Sequence, residues 1–593
     1  MLSNIKSPAL YMQAAFRAQN PWKYQDGGNC YVKENAYVFD FDPARTLIIF
    51  EEFANDLSSS TSGGRGDSDA RKQNIRELLN FFPVVGEDEN GEMIELDAEK
   101  VLSIPRKIRS LEVVRRGFMS NFLFQNISNI FNAPQEVIDI IQNFQPVSEG
   151  DLVNVSSDTR KEISVNEDGE VEIDNEYVIG QANDIFGEKI YGDITEIIET
   201  KTAEIIETSP ETQIINHLKE TFKTEIVKPI MDITSQRYES DLKTRDEKAI
   251  QKNLEQKTEK IVNQEVSDYT IKKAEIESQR KEELSDLLSI GKTEEEVNEK
   301  YDTLIAEATN HFKERITETL EEALPAFTEE VVRTVETKKK EHQKETIEEA
   351  VRNHLRGFSR TIPSFLMAYG DDNTTLANFD AIIPDEVFKE VTSISLDEFR
   401  FLRDGGSYTD AETGEEKFYQ GKLFDPVVFD DSVKEFLSLK KRLANYFDES
   451  NTEDIFDYIP PQKTNQIFTP KKVVKQMVDM LEEENPGCFD NPDKTFADLY
   501  MKSGLYITEI VKKLYNSEKM IELFPDSEER LNHIFEKQVY GLAPTEIIYR
   551  IAISFILGFD ENSATRKHNF CMLDALPYAK EGTLENKLDE VFS

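Results

Sequence analysis

The stretch TFADLYMKSGLYITEI (Thr495–Ile510) decides how the C-terminal part of this chain folds. An apolar run ends in Asp498, a short loop leads to a single glycine, Gly504, and an amphipathic pattern follows. Strand, acid, loop, glycine and helix, in that order, is one way of holding a nucleotide-type cofactor. The glycine lets backbone approach closely, and the helix start offers unpaired N–H groups. The usual loop carries more glycines, so a plain strand-to-helix turn is the competing reading.

Upstream, IPPQKTNQIFTPKKVVKQMVDMLEEENP sets Thr469 and Pro470 ahead of an amphipathic helix, with Val473, Val474, Met477, Val478 and Leu481 expected on its inner side. Thr469 suits the cap and Pro470 the first helical position. Downstream, KQVYGLAPTEIIYRIAISFILGF predicts a second strand, a turn at Gly541–Pro544 and another helix. KHNFCMLDALPY predicts a third short strand ending at Asp574. Residues 455–593 are therefore expected to form an α/β unit on a parallel sheet, with ligands at the carboxyl ends of the strands.

The rest of the chain is punctuated differently. Residues 1–57 read as strand and helix, with NAYVFDF (Asn35–Phe41) as strand and Pro43 opening the helix RTLIIFEEFAND. SSSTSGGRGDSD (Ser58–Asp69) is a linker by its Gly, Ser and Asp content. Residues 70–185 read as a helical accessory region, its last part acidic and turn-rich with a hairpin at Asp168-Gly169.

Residues 190–357 read as a long helical arm or coiled coil. Val297, Tyr301, Leu304, Ala308, Phe312, Ile316 and Leu320 recur at spacings of three and four, and Thr293 with Glu296 forms a capping box. Gly291-Lys292-Thr293 looks like the end of a phosphate-binding loop, but Asp286 stands where such a loop needs glycine. Pro229 and Pro325 are expected to break the run into several antiparallel helices. An ordinary bundle is the alternative to a spacer. Residues 358–454 read as a helical connector.

Composition bounds the possibilities. No apolar run reaches membrane-spanning length, and Cys30, Cys488 and Cys571 are too far apart for a disulfide framework. The six histidines show no metal-ligand spacing, so no metal site is expected, and the setting is expected to be cytoplasmic. A formal net charge of -45 repels phosphate as a whole. A local patch still acts within a Debye length of about 8 Å. IPRKIRSLEVVRRGF gathers Arg106, Lys107, Arg109, Arg115 and Arg116, a candidate DNA contact or simply a solvated helix face.

The C-terminal order FTP, then D-x-x-x-x-S-G, then VYGL and NFCMLDAL resembles the adenine-specific DNA methyltransferases of restriction–modification systems. The resemblance implies that Thr469, Pro470, Asp498, Ser503, Gly504 and Asp574 hold S-adenosylmethionine, and that double-stranded DNA is the partner. Three departures accompany it. Lys502 replaces the first loop glycine, and Ala543 replaces the acid expected to bind the cofactor ribose, with Glu546 one helical turn on. The sequence also contains no Asn/Asp-Pro-Pro-Tyr tetrapeptide, which in that family receives the flipped adenine. ALPYAK (Ala575–Lys580) is a poor substitute, on the preceding strand.

At the other end, SPALYMQAAFRAQNPW resembles the last motif of superfamily-two helicases, with Gln13 and Arg17 in matching positions. In such motors the arginines reach the ATP γ-phosphate. Gln and Arg four apart are also an ordinary surface pair.

The expected fold class is mixed and predominantly α-helical. It comprises a short RecA-like α/β remnant at the N-terminus, a long helical middle and a C-terminal partial Rossmann-like methyltransferase unit. The expected function is part of a restriction–modification enzyme coupling an ATP-driven helicase to adenine methylation, with further subunits as partners. The chain is expected to be incomplete for both reactions, so that ATP and Mg²⁺ belong to a longer form. The alternative is a non-enzymatic acidic helical scaffold with a degenerate Rossmann-like tail.

Overall fold

The computed structural model describes residues 8–592 apart from 19, 21, 27–28, 34–35, 39–42, 59–60, 62–67, 88–91, 149–162, 167–169, 210, 240–241, 286–290, 292, 411–412, 449, 452, 462–466 and 560–564. Helix accounts for 69% of it and the sheets are few and small, so the chain is predominantly α-helical. Among the described residues, no helix is long and apolar enough to cross a membrane. The chain divides into two compact units, residues 158–346 and the remainder, 1–157 with 347–593.

Among its described residues, the unit 158–346 is helical apart from short turns and one isolated bridge, Val165 with Val171, whose intervening tip Asp168-Gly169 lies outside the described residues. Phe312, Ile316 and Leu320 of the expected stripe are buried in one core with Phe222, Ile226 and Val262. Val297 and Tyr301 pack with Ile276 in a smaller cluster, where Leu304 and Ala308 are partly buried. The capping box is formed: Glu296 N–H donates to Thr293 Oγ1 at 3.3 Å and Thr293 N–H to Glu296 Oε2 at 2.9 Å.

The two prolines do not break the run. Pro325 lies inside a continuous helix, Glu294–Ser359. Its missing N–H costs an isolated helix about 3 kcal/mol, but Leu320, Leu324, Val331 and Val332 are buried on either side of it, and burying each such side chain returns about 1.5–3 kcal/mol. Pro229 sits in the first turn of Lys228–Arg237, directly after one wide turn, Lys223–Val227, that continues helix Ile214–Phe222. There the Lys228 N–H reaches Lys223 O, and the wider turn takes up the step at which Pro229 has no N–H to give.

In the other unit, residues 358–454 do more than connect. Phe358 and Phe399 rings lie 5.3 Å apart, Phe365 and Phe388 5.5 Å, and Phe379 and Phe429 5.5 Å, all fully buried. Phe124 pairs with Phe424, where Gln125 N–H donates to Leu423 O and Asp425 N–H to Leu123 O, each at 2.9 Å. Helix Ala98–Arg115 packs on helix Pro426–Arg442. The expected all-helical stretch after residue 70 is interrupted by a hairpin, Val85–Glu87 with Met93–Glu95. Of the NAYVFDF stretch, Ala36–Val38 carry no strand and the rest lies outside the described residues. The described sheet in residues 1–57 is a two-stranded antiparallel hairpin, Lys23–Asp26 with Asn29–Val32.

At the C-terminal end, strands Phe496–Asp498, Val539–Ala543 and Asn569–Met572 form a parallel sheet in chain order. Four local expectations need correction. Pro470 is the cap and extended (ψ 139°), so the helix is Lys471–Glu484 and Thr469 lies outside it without capping. Only Val474 and Val478 are buried there, while Val473 and Met477 are 42% and 50% exposed. Gly541 belongs to the second strand rather than to a turn, and most of ALPYAK lies in a helix, Leu576–Glu581.

Candidate functional site

The opening stretch folds by local bonds. Asp498 ends its strand and its Oδ1 accepts the Tyr500 N–H at 3.1 Å, which starts the loop. Met501 N–H then donates to Leu542 O at 2.8 Å and pins the loop to the neighbouring strand, with the Met501 side chain fully buried. Gly541 makes room for it, since a Cβ there would lie 2.8 Å from Met501 Sδ. Ser503 Oγ accepts the Leu505 N–H at 3.3 Å, and Gly504, with φ of +83°, caps helix Leu505–Asn516.

The reason for glycine at 504 lies in packing. A Cβ there would meet Ile556 Cγ1 at 2.7 Å and Cδ1 at 2.9 Å. The close approach is therefore made by the helix of the next crossover, Glu546–Ile556. Lys502 donates to Ile467 O at 3.4 Å, which ties the loop to the segment carrying Thr469 and Pro470. Lys513 pairs with Asp479 at 2.8 Å and Glu482 at 2.7 Å, holding helix Lys471–Glu484 against helix Leu505–Asn516.

The register fixes the edge of the sheet. Asp498 lies opposite Gly541 and Ala543 opposite Met572. Leu573 N–H extends the pairing to Ala543 O at 2.8 Å, and exposed Asp574 follows, its Oδ1 accepting the Leu576 N–H at 3.0 Å. The carboxyl edge thus gathers Asp498, Ser503, Gly504 and Asp574. Ala543 is buried, and the acid beyond it, Glu546, accepts from the Tyr369 hydroxyl at 3.4 Å and lies 3.6 Å from Arg550. Tyr369 comes from helix Ile362–Tyr369, and no pattern in the sequence marks it.

Asp498 is the acid at this edge whose ionisation the fold perturbs. It is half-buried, and among the described residues it has no ion-pair partner. Burial pushes its carboxyl above the usual carboxylate range, opposed by the Tyr500 N–H. A buried acid without a cation favours a ligand that brings a positive group or a hydrogen-bond donor.

The basic stretch splits on folding. Arg109 is buried and makes a two-pronged pair with Glu51, both contacts 2.9 Å. Lys107 is paired with Glu435 and Arg116 with Glu112, the latter at 3.0 Å. Arg115 is exposed and Arg106 partly so. Gln13 and Arg17 share the exposed face of helix Pro8–Arg17, whose buried face is Tyr11, Met12 and Ala15. Among the described residues, no group of His, Cys, Asp and Glu is arranged to hold a metal ion.

Comparison with known proteins gives a partial match. The chain is 26% identical over 98 residues to a protein of Mycoplasma pneumoniae described as an uncharacterized adenine-specific methylase. The match covers 16% of this chain and 23% of that relative, so it spans less than a quarter of the relative's length. No family model matches the chain, and no solved structure matches it. The similarity supports a methyltransferase relation for part of the chain and carries nothing about a helicase.

Proposed function

We propose that residues 455–593 are the cofactor-holding part of an S-adenosylmethionine-dependent, adenine-specific DNA methyltransferase, a partial Rossmann-like unit. The observation that carries this reading is Asp498, a half-buried acid with no cation partner among the described residues, at the carboxyl edge of a parallel sheet beside a loop that enters a helix N-terminus. The partial likeness to a methylase supports it.

The residues fit the cofactor at that acid. Asp498 would take the ammonium of its methionine end, and Asp574 and Glu546 offer carboxylates towards its nucleoside end. Ser503 and Gly504 shape the loop, and Thr469 and Pro470 lie on the segment that Lys502 ties to it. Bound there, the cofactor supplies an electrophilic methyl group. The chain's own part is to orient it and to exclude water from one face, and no transfer step is assigned, since no Asn/Asp-Pro-Pro-Tyr segment is in the sequence.

Double-stranded DNA is the partner this reading implies. Arg106, Lys107, Arg115 and Arg116 are the groups that would meet phosphate, and Arg109 is committed to Glu51. Coupling to an ATP-driven motor with Mg²⁺, and association with other restriction–modification subunits, would rest on Gln13 and Arg17. The hairpin near them is antiparallel, whereas motor domains use a parallel sheet. The proposal therefore stops at cofactor and DNA.

A second reading, a non-enzymatic acidic scaffold, is favoured by the loop itself: Ile556 accounts for Gly504, and Lys502 stands where a cofactor cradle has glycine. Calorimetric titration with S-adenosylmethionine separates the two. Heat from the native chain that Asp498→Ala abolishes supports the methyltransferase reading. No heat from either protein leaves the scaffold.

A further inference from the structure

A cavity of about 320 Å³ opens within the unit 1–157 with 347–593. It lies where the C-terminal ends of helices Ile362–Tyr369 and Glu546–Ile556 approach helix Pro426–Arg442. Met367, Leu437, Ile455 and Phe555 give it apolar walls. Lys440 is half-buried in the lining and donates to Met367 O at 2.9 Å and Leu366 O at 3.5 Å, carbonyls at the end of the first of these helices.

Those two bonds explain an amine at this position as a helix cap, a task any neutral donor would also perform. They leave the charge unexplained. Among the described residues no carboxylate pairs with Lys440, and a buried cation without a counter-ion is costly. The acids lining the same cavity are committed elsewhere. Asp372 pairs with Lys441 at 2.6 Å, with both side chains about two-thirds exposed. Asp371 Oδ1 accepts the Asn373 N–H at 2.9 Å and the Thr374 hydroxyl at 3.2 Å. An ammonium has three protons, and the two carbonyls take two of them.

We propose that this cavity binds a small anion with a flat apolar body, a ring-bearing carboxylate, whose carboxylate is taken by Lys440. The volume is at the low end for small-molecule sites and suits one or two rings. Ser554, Phe555 and Gly558 place the cavity at the opposite end of helix Glu546–Ile556 from Glu546 and the sheet edge. The proposal is therefore independent of the cofactor reading. Burial pulls the Lys440 pKa down to about 8, so the anchor is charged at neutral pH and loses its charge just above it. Asp371, Asp372 and Lys441 are the other charged groups at the cavity.

The test uses the full chain, titrated with 2-naphthoate and its neutral analogue 2-naphthalenemethanol by calorimetry or ligand-observed NMR. The expected result is at least about tenfold tighter binding of the carboxylate at pH 7, by the arithmetic of one charge-assisted bond. That preference should fade between pH 7 and 9. Lys440→Met should abolish the preference. Ala444→Phe, which fills the cavity and keeps the lysine, should abolish binding of both compounds. Equal affinity for the two compounds, no binding of either, or a preference that survives at pH 9, in Lys440→Met or in Ala444→Phe overturns the proposal.

Discussion

Replacing Gly504 with alanine tests whether this residue serves the fold before it serves any ligand. Two costs add. Gly504 has φ of +83°, a left-handed conformation that costs a residue with a Cβ about 1–2 kcal/mol. The new Cβ would also lie 2.7 and 2.9 Å from the Ile556 side chain, an overpacking worth about 1–3 kcal/mol. The sum, about 3.5 kcal/mol at its centre, corresponds to roughly 300-fold faster hydrogen exchange in helices Leu505–Asn516 and Glu546–Ile556, since each 1.4 kcal/mol is about tenfold. Exchange is the right assay because a chain with two compact units has no single unfolding free energy. The packing share is isolated by a cycle with Ile556→Ala, where the alanine penalty should fall to about 1–2 kcal/mol. An acceleration below about threefold, or the same penalty in both backgrounds, would refute the steric argument.

Three further outcomes follow from the structure. Burial raises the Asp498 pKa in the fold, so between the ordinary aspartate value and the raised one the native state holds more protons than the unfolded chain, and stability rises as pH falls through that window. Asp498→Asn should therefore be at least as urea-resistant as the native chain at pH 7 and should lose the acid-side gain, as measured by urea melts at several pH values. Glu51→Gln strands buried Arg109, so helix Ala98–Arg115 should lose about 3–5 kcal/mol of protection in hydrogen exchange. Pro325→Ala restores a backbone bond inside helix Glu294–Ser359 and should slow exchange around residue 321 by about tenfold or more, with no change in helix content by circular dichroism.

The parallel sheet and its edge were legible because their signals are local. An acid ending an apolar run, one glycine and then a 3.6-residue pattern specify a strand, a turn and a helix within sixteen residues, and the register then aligns Asp498 with the strands that follow. What was not legible depends on distant neighbours. Pro325 reads as a helix breaker until Leu320, Leu324 and Val331 are seen to be buried around it. Arg109 reads as surface charge because its partner, Glu51, lies on another helix. Lys440 sits in the run Lys440-Lys441-Arg442, where nothing separates the half-buried member from its two exposed neighbours. The cap at Lys471–Glu484 moved by one residue because Pro470 takes an extended ψ, which sequence spacing cannot specify.

The pairing of Phe124 with Phe424 sets a clock for synthesis. Ribosomes add about 5–20 residues per second, so about 300 residues of delay leave the early half of that core waiting roughly 15–60 seconds for its other half. During that interval Leu123, Ile130, Val137, Ile138 and Ile141, all deeply buried in the finished protein, have no native cover from the later chain. Newly made chains should accordingly depend on holdase chaperones more than their finished stability suggests, and a ribosome stalled near residue 400 should display a nascent chain that such chaperones bind and proteases cut.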